Sequence, residues 1–209
     1  MNNLRILIIG DSFAADWSVK YNEYKGWPNL IAEKFPTVNL AQAGVSEYKI
    51  YQQLTGADLT KFDLVIASHT SPLRVPTRRH PIHNSDSLHK AADLMFTDIE
   101  YHSTRLKNIF NRSLQSAYNF FIHHYDIEYF ETSYKLFREK INQIIGNKPI
   151  IVISNLPDMD KFITEKIVLN FYPDGGIINH MTACGNHQVY LSIIETIKKL
   201  STSKQIVEE

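Results

Sequence analysis

The chain of 209 residues predicts a three-layer α/β domain built on a doubly wound parallel sheet. Short, almost wholly apolar segments alternate with segments of helical periodicity, as in a sheet whose strands are joined by covering helices. Small polar residues directly follow two of the apolar segments, at the edge where such sheets bind ligands. Hydrophobic residues make up 44% of the chain, which is enough for one core at this length.

Four strands are predicted along the chain. Residues 4–9 are apolar almost throughout, as in a strand buried on both faces, and Gly10 ends the segment. The other three predicted strands are residues 38–41, 62–68 and 149–154. Helical spacing of apolar side chains predicts helices at residues 27–35, 127–145 and 182–200, and a further helix that Ser46 begins.

Residues 72–125 interrupt the alternation, and we interpret them as a helical insertion after the third strand, within a single domain of residues 1–209. The segment opens as a proline-containing loop and continues with apolar stripes at helical spacing, the first of them formed by Leu88, Ala92, Met95 and Ile99. Its aromatic residues are interpreted as core, with an acyl or sugar pocket as the alternative; they are Phe110, Tyr118, Phe120, Phe121, Tyr129 and Phe130.

Composition restricts the class of protein. Lys+Arg and Asp+Glu balance at 22 each, which gives no electrostatic reason to expect a nucleic acid or a membrane as partner. A single cysteine, Cys184, forms no internal disulfide and is expected to be buried and inert. The segment after Met1 has no secretory leader, so a cytoplasmic location is expected. The sequence does not indicate the oligomeric state.

The tripeptide Gly10-Asp11-Ser12 follows the first predicted strand. A serine at this point can face a substrate cleft, and its backbone N–H can point at a developing oxyanion, provided that a base lies within hydrogen-bond reach. The competing interpretation is a turn between strand and helix. Asp11 is expected to hold the turn through backbone amides, because a carboxylate beside the nucleophile would repel an oxyanion.

Three blocks of the sequence resemble the SGNH/GDSL hydrolases, in order and in relative position. They are residues 10–13 (Gly-Asp-Ser-Phe), residues 39–46 (Asn-Leu-Ala-Gln-Ala-Gly-Val-Ser) and residues 179–186 (Asn-His-Met-Thr-Ala-Cys-Gly-Asn). Residues 26–28 (Gly-Trp-Pro) also recur in that family. The resemblance implies a flavodoxin-like SGNH hydrolase fold and a serine esterase or acyl hydrolase that needs no cofactor.

Carried over by position, the resemblance implies that Ser12 is the nucleophile and His180 its base. The N–H groups of Ser12 and Gly44 would donate to the oxyanion. Gly44 suits that role because it lacks a Cβ and lets a substrate approach the backbone.

Two positions depart from the family pattern. The family's oxyanion asparagine is replaced by Thr70, whose hydroxyl can donate one hydrogen bond, with His69 or Ser71 as alternatives. The family's triad aspartate is replaced by Ile177. Asp174 is the candidate acid, since the glycines after it would let the loop fold back to His180; otherwise a backbone carbonyl orients the histidine.

No metal site is expected. His80 and His83 have a spacing that can bind a metal, and His89 follows, but no cysteine or paired carboxylate completes a ligand set. They are interpreted as histidines of a surface loop. Three arginines of the same region are interpreted as solvated, or as contacts for an anionic substrate group: Arg74, Arg78 and Arg79.

The function expected from these residues is hydrolysis of an O-acyl ester, O-acetyl among the possibilities, on a carbohydrate or another small substrate. Two alternatives stay open. An acyltransferase would use the same groups with an alcohol in place of water, and an SGNH-like binding protein would have lost catalysis together with the asparagine and the aspartate.

Overall fold

A computed structural model describes residues 3–21, 25–83, 85, 87–156, 161–176 and 180–207, the last five of these by their backbone alone. Its centre is a five-stranded sheet in which every pair of neighbouring strands is parallel. The strands are β1 (Ile6–Gly10), β2 (Thr37–Asn39), β3 (Leu64–Ser68), β4 (Ile150–Ser154) and β5 (Val168–Asn170). Their order is β2-β1-β3-β4-β5, the order of flavodoxin-like sheets.

Helices cover both faces of the sheet. On one face, α1 (Trp27–Ala32) and α6 (Ala183–Val207) pack on the even-numbered side chains of β1. On the other face, α2 (Glu47–Thr55) and α5 (Ile127–Ile145) pack on the odd-numbered ones. Because both faces are covered, all five residues of β1 are buried, as the apolar run predicts. The prediction of an α/β parallel sheet flanked by helices is therefore confirmed.

The region between β3 and β4 contains α3 (Phe96–Ser103) and α4 (Arg112–His123) before α5 begins. The first predicted helical stripe is wrong in its N-terminal part. Residues 88–91 form turns, and Leu94 pairs with Val75 in an isolated antiparallel bridge. Side-chain hydrogen bonds hold this segment in place of helix: the Asp93 carboxylate accepts from the N–H groups of Ser46 and Thr77, at 2.7 Å each.

Three further features of the structure differ from what the sequence predicts. Strand β5 was not predicted, because three residues at the sheet edge carry too short an apolar pattern. Phe110 and Tyr129 are exposed on the helical region rather than in its core, whereas Phe121 is buried as predicted. Cys184 is exposed rather than buried, since it lies on the outer side of the first turn of α6.

None of the helices in the described part of the chain combines the length and the apolar run needed to span a bilayer.

Candidate active site

The segment after β1 turns sharply away from the sheet. Gly10 has φ +152° and pairs with Ser68 of β3, and a Cβ on it would lie 2.5 Å from the Ser68 carbonyl oxygen. Only glycine permits this approach of two strands. Asp11 is buried, and its carboxylate accepts from the N–H of Phe13 at 3.0 Å, which confirms its structural role. Burial raises the pKa of Asp11, against the opposing charge of Arg74.

Two tryptophans fix the backbone around Ser12. The indole N–H of Trp17 donates to the carbonyl oxygen of Ser12 at 2.7 Å, and that of Trp27 donates to the carbonyl oxygen of Phe13 at 2.9 Å. Both indoles are buried, so these bonds compete little with water. Trp27 belongs to the Gly-Trp-Pro segment of residues 26–28. Its hydrogen bond to Phe13 therefore holds that segment beside the turn that contains Ser12. The Ser12 side chain is thus carried by an immobilised turn.

Gly44 lies close to the Ser12 turn because β1 and β2 are neighbours and both end at the same edge. Its φ of +77° is left-handed, and a Cβ on it would lie 3.0 Å from Ala92 Cβ. Its carbonyl oxygen accepts from the N–H of Asp93 at 2.8 Å. Gly44 and Ser12 line one cavity of about 340 Å³. The structure therefore brings together the two residues that the sequence nominates as backbone donors.

His180 lines the same cavity as Ser12. Its ring packs against Phe13 at 4.5 Å and Trp17 at 4.9 Å between ring centroids, so the aromatic groups that hold the serine turn also hold the histidine. Among the described residues no hydrogen bond joins the Ser12 hydroxyl to the His180 ring. Catalytic hydrogen bonds are often long without substrate and tighten in the complex.

Asp174 stabilises the start of α6. Its carboxylate accepts from the backbone N–H of Thr182, and from the Thr182 hydroxyl at 2.7 Å. The Thr182 hydroxyl in turn accepts from the N–H of Gly185 at 3.1 Å, an N-cap for the helix. Asp174 thus fixes the chain two residues after His180. The prediction that Asp174 orients the His180 ring stays a prediction, and Ile177 lies outside the described residues.

Thr70 is fully buried, and its hydroxyl oxygen accepts from Arg74 Nε at 3.0 Å. The hydroxyl that donates to the Asp11 carboxylate is that of Ser68, at 3.3 Å. Arg74 also donates from Nη1 to the carbonyl oxygen of Gly44 at 3.2 Å, and it lines the cavity with Ser12. Burial lowers the pKa of Arg74, offset by the neighbouring carboxylates, and a guanidinium stays charged.

Arg74 is thus a charged hydrogen-bond donor on the cavity that Ser12 lines. The sequence leaves the third oxyanion donor of this site open. The sequence predicts Arg74 only as a solvated residue or as a contact for an anionic group, because spacing alone does not show that its side chain turns back toward Gly44. Arg78 and Arg79 are exposed, as predicted for a solvated loop.

His69 lies in a separate buried group of charges. Its Nδ1 lies 2.6 Å from Glu47 Oε1, and both side chains are 3% exposed. Next to them Arg138 donates to both carboxylate oxygens of Glu165 at 2.6 Å and to the Tyr134 hydroxyl at 3.2 Å. None of these residues lines the cavity of Ser12. His69 therefore has a partner other than a substrate carbonyl.

The interpretation of the histidines after β3 as a surface loop is wrong for His80, which is buried, and Asp98 of α3 places a carboxylate beside them. Asp98 lies 3.4 Å from His80 Nε2, 3.1 Å from His83 Nε2 and 3.6 Å from His102 Nε2. We call these four residues the Asp98 cluster. Three of its members, all but His102, line the cavity that Ser12 lines. Asp98 and His102 lie four residues apart on one face of α3. This spacing is the sequence signal that could have indicated the Asp98 cluster.

Burial contributes to the shifted pKa values of two residues in the Asp98 cluster, His80 and Asp98. Desolvation lowers the pKa of His80 to about 4, so this imidazole is neutral near pH 7. Burial of the Asp98 carboxyl acts to raise its pKa, but the hydrogen bond from His83 and the histidine charges outweigh it, and the net shift is downward.

Neither a scan against protein-family models nor a search of curated proteins finds a match for this chain.

Proposed function

We propose that the protein is a serine ester hydrolase of the SGNH type, acting on an O-acyl ester of a carbohydrate or another small molecule. The observation that carries the proposal is the shared cavity of Ser12, Gly44 and His180, beyond the carboxyl ends of β1 and β3. Its volume of about 340 Å³ falls within the range of small-molecule sites. Arg74 adds a fixed positive charge to the same wall.

In the proposed mechanism Ser12 Oγ attacks the acyl carbonyl carbon while His180 takes the hydroxyl proton. The carbonyl oxygen becomes an oxyanion, which the N–H groups of Ser12 and Gly44 would stabilise together with the Arg74 guanidinium. The C–O bond to the leaving alcohol then breaks, and His180 returns the proton to that alcohol. Water repeats the sequence on the acyl-Ser12 ester, releases the acid and restores the serine.

Arg74 would take the role of the family's asparagine in this mechanism. A guanidinium offers five N–H donors, of which the hydrogen bonds within the described structure use Nε and Nη1. A charged donor forms stronger hydrogen bonds to an anion than an amide does. Arg74 in this role would compensate for one of the two departures from the family pattern, the missing asparagine.

The proposal is tested on wild type and on Ser12→Ala, with Ser113→Ala, at an exposed serine of α4, as a matched control. A fluorophosphonate probe is expected to modify Ser12, as located by peptide mass spectrometry, and 4-nitrophenyl acetate is expected to be hydrolysed. Both reactions should disappear in Ser12→Ala and persist in Ser113→Ala. A wild-type protein that neither takes the probe nor hydrolyses short or long acyl esters would favour a binding protein instead.

An acyltransferase would share every step up to the acyl-enzyme. The products separate the two activities: with a sugar acceptor present, a transferase gives acylated sugar where a hydrolase gives free acid. We favour the hydrolase because the cavity that holds Ser12 is lined by polar and charged side chains that favour water, among them Lys20, Arg74 and Asp98.

A further inference from the structure

The connection between α3 and α4 exposes large apolar side chains to solvent. We call residues 105–112 the 105–112 loop; it contains one 3-10 turn (Leu106–Asn108) and leads directly into α4. Phe110 is 93% exposed and Leu106 is 85% exposed, the two highest values for large apolar side chains in the described part of the chain. Ile109, between them, is also exposed. Keeping these side chains in water costs free energy that a partner would recover.

The charges of the 105–112 loop all have the same sign. Residues 101–125 contain no aspartate or glutamate, although basic and acidic residues balance at 22 each over the whole chain. The lysines and arginines of that segment are Arg105, Lys107 and Arg112, and all three lie in the loop. Among the described residues, no carboxylate forms an ion pair with any of them. The overall balance therefore conceals a local positive charge around exposed apolar side chains.

An aromatic contact supports one of these cations. The guanidinium of Arg105 lies over the ring of Tyr101, with its Cζ 4.1 Å from the ring centroid. Tyr101, near the end of α3, is itself exposed. A guanidinium that rests on a ring still presents the N–H donors at its edges to an anion. Tyrosine, with an apolar ring and a polar hydroxyl, is typical of the boundary between water and lipid.

We propose that the 105–112 loop binds the surface of an anionic lipid bilayer. Its apolar side chains would insert at the boundary of headgroups and acyl chains, while its three cations contact headgroup phosphates and carboxylates. Neither contribution is large by itself. Insertion and charge attraction together hold peripheral proteins to membranes, and the loop offers both within eight residues.

A bilayer fits the 105–112 loop better than another macromolecule does. A stable protein–protein interface uses about 20–30 residues on each side, so an eight-residue loop is too small for a second copy of the chain. Protruding side chains such as Phe110 enter lipid without needing a complementary pocket. A nucleic acid would be held by the cations, but its phosphates provide nothing for Leu106 and Ile109.

Binding is measured by cosedimentation of the full chain with vesicles of about 70% phosphatidylcholine and about 30% phosphatidylserine, against phosphatidylcholine alone. We expect wild type to partition more than about 10-fold better onto the anionic vesicles, and less well in about 0.5 M salt. Phe110→Ser should lower the partition coefficient by about 10-fold, and Lys107→Gln by about 5-fold. None of these measurements depends on Ser12 or on esterase activity.

Matched controls come from α6, on another part of the surface. Leu191 and Lys198 are both exposed there. Leu191→Ser and Lys198→Gln should bind the anionic vesicles as wild type does. Circular dichroism verifies that every variant is folded.

Insertion is measured separately with Phe110→Trp. The two native tryptophans, Trp17 and Trp27, are buried, so a change in emission reports the new side chain. Anionic vesicles should shift its emission to shorter wavelength, and brominated lipids should quench it. Leu191→Trp should show neither effect.

The proposal is overturned if wild type sediments with anionic vesicles no better than Phe110→Ser does, or if the emission of Phe110→Trp does not shift. A loss of binding in Lys107→Gln alone would mean a purely electrostatic contact and would contradict insertion. Sedimentation equilibrium tests the remaining occupant: a wild-type dimer that dissociates in Phe110→Ser would assign the loop to a second copy of the chain and refute the membrane.

Discussion

At the scale of single residues, the polar groups around Ser12 depend on one another. Asp11 accepts from the N–H of Phe13 and from the Ser68 hydroxyl, and the Thr70 hydroxyl oxygen accepts from Arg74 Nε. Arg74 is therefore held beside Gly44 by its hydrogen bonds to the Thr70 hydroxyl and to the Gly44 carbonyl oxygen. A side chain fixed before substrate binds needs no reorganisation when charge develops, and this is the condition for strong transition-state stabilisation.

Replacing Arg74 tests whether it is an oxyanion donor. We expect Arg74→Met to lower kcat for 4-nitrophenyl acetate by about 10²–10³-fold with little change in KM, since the neutral ground state gains little from the charge. Arg74→Lys should recover only part of the rate, because an ammonium cannot reproduce the fork between Thr70 and Gly44. Arg78→Met, on the exposed side of the same loop, is the control. A fully active Arg74→Met enzyme would refute the role.

The sequence predicts the turn of residues 10–13, which contains Ser12, better than it predicts the residues around that turn. Gly10 and Ser12 follow a buried strand, and the register of parallel strands then places them beside Ser68 and Thr70. Arg74 and Asp98 reach the cavity through loop and helix geometry that follows the strand ends. No periodicity fixes the direction in which such a loop turns, so the sequence does not predict the positions of Arg74 and of the Asp98 carboxylate in the cavity.

At the scale of elements, the start of α6 determines where His180 lies. Asp174 accepts from the Thr182 backbone and hydroxyl, and Thr182 caps the helix. The apolar spacing of α6 predicted the helix, and a threonine at its start is typical of an N-cap. The acceptor for Thr182 comes from eight residues earlier, across a loop with glycines, which spacing alone does not reveal. Short β5 was missed for a related reason: its pairing with β4 is a tertiary contact.

Asp174 should affect stability with a defined pH dependence. The hydrogen bond from the Thr182 hydroxyl lowers the pKa of Asp174 in the folded protein. A carboxyl whose pKa is lower when folded stabilises the protein above its unfolded pKa of about 4, and the effect disappears as the pH falls through the folded value. Asp174→Asn should therefore lower the free energy of urea unfolding at pH 7 by less than about 1 kcal/mol, because water screens this exposed carboxylate, and by less still at pH 3.

The same variant separates a cap from a triad acid. Removing a triad acid costs about 10⁴ in kcat, whereas loss of a helix-capping contact should cost about 10-fold or less. A deficit in unfolding free energy that is equal at both pH values would contradict the role of the ionised carboxylate. Thr182→Val, which removes the hydroxyl donor, provides an independent check, because it should show the same pH dependence.

At the scale of the whole molecule, polar residues concentrate at the carboxyl edge of the sheet. Beside that edge, buried pairs of charged side chains connect helices to the strands. Arg138 of α5 bonds to Glu165, in the segment before β5, and Glu47 of α2 contacts His69 after β3. Burial acts to raise the pKa of Glu165, but the Arg138 charge outweighs it and the net shift is downward. These contacts connect α2 with the segment that follows β3, and α5 with the segment that precedes β5.

Arg138→Met should destabilise the protein by about 3–5 kcal/mol near pH 7, because it leaves Glu165 buried without its counter-charge. In that variant the folded pKa of Glu165 should rise above the unfolded value, since burial is no longer offset. Such a group destabilises the fold at high pH, and the penalty shrinks as the pH falls through the folded pKa. Adding Glu165→Gln should recover much of the loss at pH 7. Urea unfolding of the single and double variants between pH 4 and 8 measures both effects.

The matched comparison is the exposed pair of Lys161 and Glu131, 3.0 Å apart, with the lysine side chain 60% exposed. Lys161→Met should cost less than about 1 kcal/mol at any pH in that range, because water screens the pair. Equal losses for the two pairs would mean that burial does not govern the contribution of Arg138. A large loss for Arg138→Met alone would show that an ion pair in the interior holds α5 to the segment before β5, and that its contribution comes from burial.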